Sequence, residues 1–196
     1  MHCISLVISG PAGVGKTTIC DRLVREFEAS LKRVITSTTR RPRNSEKHGI
    51  DYYFLSNQQF EDLKEKNSFI EHAKIHGNYY GTTKESVNEQ LEKKFDVLLN
   101  IDVQGAAELK KLKQSNDLFT NFLYTIFIAP KSIDDLRKRL ISRGQDSICE
   151  IEKRLQTAMN EISLKDRFDF VIYSDTKEID YAKVREFYMS KSIISN

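Results

Sequence analysis

The run Gly10-Pro11-Ala12-Gly13-Val14-Gly15-Lys16-Thr17 constrains the fold more than any other stretch of this chain. It fits the pattern G-x-x-x-x-G-K-[ST], which is meaningful only between a strand and a helix. Both flanks comply. Ile4-Ser5-Leu6-Val7-Ile8-Ser9 is a short apolar run that reads as a buried strand, and Thr18 to Glu28 carries Ile19, Leu23 and Phe27 at helical spacing. Glycines in such a loop let backbone N–H groups turn inward around phosphate oxygens, where a Cβ would obstruct them. The helix that follows adds its free N–H groups and its dipole. Lys16 is then placed to reach terminal phosphates, and the Thr17 hydroxyl to ligate Mg²⁺.

The same alternation continues downstream. Phe95–Ile101, Phe122–Ile128 and Phe170–Tyr173 read as buried strands, with helices expected over Gln104–Leu112, Ser132–Ile141 and Ile179–Met189. Apolar strands that lack polar alternation, each followed by a helix, predict an α/β fold: a parallel sheet with helices on both faces. Ligands of such sheets bind at the carboxyl ends of the strands, which is where Gly10, Asp102 and Pro130 fall. Two stretches interrupt the pattern. Residues 36–83 hold aromatics, glycine and short β-like runs (Asp51–Phe54, Ser68–His72, Asn78–Gly81) and read as a small mixed insertion. Residues 130–155 are helical and arginine-rich around Gly144, and read as a lid. The core is then 1–35, 84–129 and 156–196.

Composition narrows the class. With 196 residues, 39% hydrophobic and 30% charged, the chain suits one globular core with inserted subdomains. It has no apolar run of about 18 residues, the length a membrane span needs, and no basic-then-apolar leader. Its three cysteines, Cys3, Cys20 and Cys149, are too few and too scattered for a disulfide framework and suit a reducing cytoplasm. A net charge of +3 fits an anionic small molecule and does not demand nucleic acid.

Four further groups carry chemistry, each with a plainer reading beside it. In Thr36-Ser37-Thr38-Thr39-Arg40-Arg41-Pro42-Arg43, the Arg40 and Arg43 guanidinium groups suit a phosphate; the plainer reading is a solvated basic loop or a nucleic-acid patch. Glu71 near the hydroxyls of Gly77–Thr82 suits a purine edge. A carboxylate accepts from adjacent N1–H and N2–H₂ donors, which guanine has and adenine lacks; the plainer reading is a surface glutamate beside packing tyrosines. Asp102 ends a buried strand, where it can anchor a substrate or hold Mg²⁺ through water, or simply cap the next helix. Arg139, Arg143 and Arg154 can close over phosphates and neutralise charge in phosphoryl transfer, or can pair with nearby carboxylates on a surface helix. His72 and His76 lack a suitably spaced third ligand for zinc.

Taken together, these motifs resemble guanylate kinase over nearly the whole chain. Besides the phosphate loop, the likeness rests on Ser37–Arg43, Gly49–Tyr52, Phe69–Glu71, Gly77–Thr82, Ile101–Gly105, Arg139–Gly144 and Lys153–Leu155. The resemblance implies ATP + GMP ⇌ ADP + GDP with Mg²⁺, with dGMP as a further acceptor. It implies that Gly10 to Thr18 hold ATP, that Arg40, Arg43, Tyr52 and Tyr80 hold the GMP phosphate, and that Thr36, Glu71 and Thr82 read guanine. Asp102 would lie beside the acceptor nucleotide. Lys16, Arg139, Arg143 and Arg154 would serve the transferring group, and Thr17 the metal. Neither nucleic acid nor a membrane is an implied partner, and monomer and homodimer both stay open.

Several positions depart from the family pattern. Threonine stands at 36 and 82 where the family usually has serine, keeping the hydroxyl. Asn100 replaces an acidic residue, Ala12 and Thr17 replace serines, and Ser174 replaces an asparagine on the adenine side. Two rivals remain at this point: an inactive interaction module of the same fold, and a kinase for another phosphorylated acceptor. The intact Lys16 and lid arginines argue against the first.

Overall fold

The computed structural model describes residues 3–43, 45–112, 119, 122–142, 144 and 147–194. Among them the strands form two sheets. The larger contains β1 (Ser5–Ser9), β2 (Leu31–Arg33), β7 (Asp96–Asn100), β8 (Leu123–Ala129) and β9 (Phe170–Tyr173), in the order β2-β7-β1-β8-β9. Every pairing in it is parallel. Successive β1 side chains explain why the sequence shows no polar alternation. Leu6 and Ile8 pack into a core with helices α1 (Lys16–Glu26), α5 (Ile133–Ser142), α6 (Ile148–Ile162) and α7 (Lys177–Ile194). Val7 points the other way, joining Val87 of α3 (Lys84–Glu92) and Leu109 of α4 (Val103–Leu112) in a second core. Both faces are covered, so the central positions on both are apolar, with Ser5 and Ser9 the buried polar residues at the strand's ends.

The order places β1 between β7 and β8. Their carboxyl ends therefore lie side by side, and the loops after them, beginning at Gly10, Ile101 and Pro130, share one rim. The loop after β1 can turn so sharply only because Gly10 has φ +135° and no side chain. A Cβ there would lie 3.2 Å from the Ile128 carbonyl carbon and closer still to its oxygen.

The second sheet runs β4-β3-β6-β5, from β3 (Ser37–Thr38), β4 (Tyr53–Phe54), β5 (Phe69–Ile75) and β6 (Asn78–Thr83). β5 and β6 form an antiparallel hairpin. Its turn has His76 and Gly77 both at positive φ, 48° and 84°, the conformation that tight hairpins select. Phe60 anchors this sheet, stacking on Phe69 and Tyr79 with ring centroids 4.4 Å and 5.2 Å away.

The expected strands and helices of the larger sheet are present, with ends shifted by a few residues. Two helices were not expected from the sequence, α2 (Asn57–Glu65) and α3, as was β2. α2 starts at a reciprocal capping box, the Ser56 side chain accepting from Gln59 N–H while Gln59 reaches back to Ser56 N–H. Thr83 caps α3 by accepting from Ser86 N–H at 3.2 Å. No helix among the described residues is long and apolar enough to cross a membrane.

Candidate active site

Between the two sheets lies a cleft of about 710 Å³. The phosphate loop forms one wall. Gly15, the residue before α1, is left-handed at φ 102°, and no side chain caps the helix. An α1 N-terminus that no side chain caps and that lines the cleft is the usual arrangement for binding an anion. Gly13 also has positive φ, at 100°. The Lys16 ammonium donates to the carbonyls of Gly10 and, at 3.0 Å, Pro11, which curl back over it. Thr17 Oγ1 accepts from Asn100 Nδ2 at 3.3 Å, joining the start of α1 to the end of β7. Gly10, Ala12, Gly13, Gly15, Lys16, Thr17 and Thr18 line the cleft; Pro11 and Val14 do not, and Val14 is packed in the core.

The small sheet supplies the opposite wall, and most of the expected residues converge there. Thr36, Arg40, Arg43, Tyr52, Glu71 and Tyr80 all face the cleft. Arg40 lies over the Tyr52 ring, 5.5 Å from its centroid, and Tyr52 meets Tyr80 edge-on at 6.2 Å. Both arginines gather on Glu46, which sequence reasoning missed. Glu46 Oε1 is 2.9 Å from Arg40 Nη2 and 3.8 Å from Arg43 Nη1, while Oε2 accepts from Arg43 N–H at 2.8 Å. Burial works to raise the Glu46 carboxyl, but the hydrogen bonds and charges of these partners outweigh it and hold it below the usual carboxylate range. Glu46 thus fixes the Arg40 guanidinium and the Arg43 backbone, and leaves the Arg43 side chain partly exposed at the edge of the cleft.

Deeper in, Glu71 is only 3% exposed, and Thr82 is fully buried behind it. The Thr82 hydroxyl donates to Glu71 Oε1 at 2.6 Å. Burial pushes the Glu71 carboxyl up to about 8; the Thr82 hydrogen bond opposes this, and the charges of Asp102 and Glu108 add to it. A carboxyl hidden this way, open only to a cleft, is matched to a ligand that brings donors with it. Asp102 has the helix-capping role among its sequence readings. Its Oδ1 caps α4, accepting from the N–H of Gln104 at 2.7 Å and of Gly105 at 3.2 Å, and the residue also lines the cleft. Burial raises its pKa as well.

The lid residues do not all meet. Arg154 of α6 lines the cleft. Arg139 does not: its Nε pairs with Asp135 at 2.9 Å, and its Nη1 donates to Ser174 Oγ at 3.3 Å and to the Val14 carbonyl at 3.5 Å. It ties α5 to the back of the phosphate loop. Arg143 lies outside the described residues. A second residue that sequence reasoning missed is Glu161. It lines the cleft from α6, and burial pushes its carboxyl up to about 7, against the pull of the Lys16 charge and with the push of Asp102. A signal for it was present: Glu150, Arg154, Thr157 and Glu161 recur at helical spacing and share the cleft-facing side of α6. Glu46 had no comparable signal, being one charge in a polar run.

Comparison with known proteins agrees with this geometry. The family model described as guanylate kinase matches residues 3–191. The chain is 40% identical to a guanylate kinase of Clostridioides difficile (strain 630) over 87% of its own length and 79% of the relative's. It is 39% identical to one of Rickettsia prowazekii (strain Madrid E), over 95% and 90% of the two chains. Among solved structures, a guanylate kinase from Anaplasma phagocytophilum superposes with a TM-score of 0.77 at 28% identity, covering 97% of this chain and 86% of that one. A phosphate loop facing a buried carboxylate across one cleft, in a chain matched over residues 3–191, places this protein in the guanylate kinase family.

Proposed function

We propose that this cleft transfers the γ-phosphoryl group of ATP to GMP, and to dGMP, giving ADP and the corresponding guanosine diphosphate. One observation supports it most: Lys16 and the uncapped α1 terminus face the Arg40–Arg43 pair and the buried Glu71 across a single cleft. ATP lies with its phosphates in the loop Gly10 to Thr18. GMP lies with its phosphate on Arg40, Arg43, Tyr52 and Tyr80 and its base toward Thr36, Glu71 and Thr82. Two phosphates are thereby brought end to end, which removes most of the entropic cost of the encounter. Asp102 stands beside the acceptor. Lys16 and Arg154 stabilise charge on the transferring group, and no covalent enzyme intermediate is needed. Arg139 is turned toward Asp135 and Ser174, so it joins the lid's contribution, with Arg143 beyond the described residues, only when closure releases it and excludes water. Residues 36–83 form the GMP-binding insertion, 130–155 the lid and the remainder the core.

The site fits Mg²⁺. Thr17 and Asn100 offer neutral oxygen atoms beside the phosphate loop. Among the described residues no cluster of three His, Cys, Asp or Glu groups gathers to hold a metal without help. A small hard ion that takes most of its ligands from phosphate and water suits such a site, with Thr17 as the protein ligand. When bound, it would neutralise charge shared by the β- and γ-phosphates. Cys3, Cys20 and Cys149 are all free thiols, which supports a cytoplasmic setting.

A coupled ADP-release assay across GMP, dGMP, AMP, UMP and TMP tests the reading. Turnover with GMP and dGMP far above the rest is expected. Equal use of AMP or UMP would remove Glu71 as the base reader, and no turnover with any acceptor would leave an interaction module of the same fold.

A further inference from the structure

Glu71 enters the cleft from β5, and α4 packs across its back. Gly105, buried in the first turn of α4, sits directly behind the carboxylate. A Cβ built on Gly105 would lie 3.1 Å from Glu71 Cδ and closer still to Oε2, well inside van der Waals contact. The next neighbour, Ile101 Cδ1, is at an ordinary 3.5 Å. The conflict is therefore with Glu71 alone.

Glu71 has little freedom to give way. Its Oε1 is held by the Thr82 hydroxyl at 2.6 Å. The following residue is fixed too: His72 N–H donates to Glu108 Oε2 of α4 at 3.0 Å, so β5 and α4 cannot drift apart. Gly105 is itself anchored, its N–H donating to Asp102 Oδ1 at 3.2 Å. Alanine is the better helix former at such a position, so glycine here needs a reason outside the helix.

We propose that Gly105 is a positioning residue for base selection: the space its missing side chain leaves is the space in which the Glu71 carboxylate is held toward the acceptor base. This rests on the reading of Glu71 as the residue that recognises guanine. Gly105 touches no substrate; it acts through Glu71.

The test compares Gly105→Ala, Glu71→Ala and the double variant by steady-state kinetics and thermal melting. Gly105→Ala should raise KM for GMP about tenfold or more and narrow the GMP-over-AMP ratio of kcat/KM by a similar factor, with KM for ATP within about twofold of wild type. In melting, Gly105→Ala should lower Tm when Glu71 is present and raise it when residue 71 is alanine, a change of sign that simple damage to the helix would not produce. A Gly105→Ala protein that fails to fold, rescued by Glu71→Ala, supports the proposal equally. It is overturned if Gly105→Ala leaves GMP selectivity unchanged, or if the double variant is as damaged as the single one. Should Glu71→Ala keep wild-type selectivity, the guanine reading fails, and the melting comparison still decides whether Gly105 makes room for the carboxylate.

Discussion

Binding of GMP should release a proton, and the size of the effect follows from the burial of Glu71. Without nucleotide its carboxyl titrates at about 8, because burial disfavours the charge and Asp102 and Glu108 add to the penalty. Guanine offers donors at N1 and N2, and only the ionised carboxylate accepts from both. Binding therefore draws on the ionised fraction, about one half at pH 8, about 0.1 at pH 7 and about 0.01 at pH 6. The dissociation constant for GMP should rise about 50-fold between pH 8 and pH 6, with each further unit costing about 1.4 kcal/mol. The GMP phosphate titrates in the same region, at about pH 6, so the comparison is with Glu71→Gln, which keeps that contribution and loses the other. Calorimetric titration at pH 7 in buffers of different ionisation enthalpy counts the protons directly. About 0.9 should be released per GMP by the wild type beyond whatever Glu71→Gln releases. Equal proton counts, or parallel pH profiles for the two proteins, would refute the coupling.

Other consequences are simpler. Lys16→Ala should lower kcat by at least about a hundredfold in a folded protein, since it removes a charge aimed at the transferring group; near-normal turnover would contradict the assignment. Glu46→Ala should free Arg40 and Arg43 and raise KM for GMP about tenfold while KM for ATP stays put, as read by initial-rate kinetics. Gly10→Ala should destabilise the fold by about 2–4 kcal/mol in urea unfolding, combining a positive φ with overlap on the Ile128 carbonyl; an unchanged midpoint would show that the loop is not held as described.

The parts of the fold that sequence makes visible are those with one physical cause. β1, β7 and β8 are buried on both faces, so their apolar runs have no other reading. Gly10, Gly13 and Gly15 of the phosphate loop are visible for a similar reason, because all three take a positive φ that side chains rarely adopt, and at Gly10 a carbonyl also fills the space. α2 was harder. Its one buried residue, Phe60, lies among aromatic runs that suggest strands, and its one local mark, the Ser56–Gln59 capping box, went unread. Within the site, the fold brings Arg40, Arg43 and Glu71, singled out by their side-chain chemistry, to one cleft; Glu161 had only its helical spacing with Arg154 to mark it, and Glu46 became meaningful only once folding set it against Arg40. Arg139 shows the converse. Its charge suggested the cleft, yet Asp135 four residues earlier and Ser174 on a distant loop draw it to the back of the phosphate loop.

The account depends on two nucleotides meeting inside one cleft. A crystal structure with GMP and a non-hydrolysable ATP analogue bound together tests this most directly. Guanine should lie within hydrogen-bonding distance of Glu71 and Thr82, with the γ-phosphate on Lys16 and the α1 terminus and the GMP phosphate between Arg40 and Arg43. Guanine bound away from Glu71, or the two phosphates on different faces of the molecule, would contradict it.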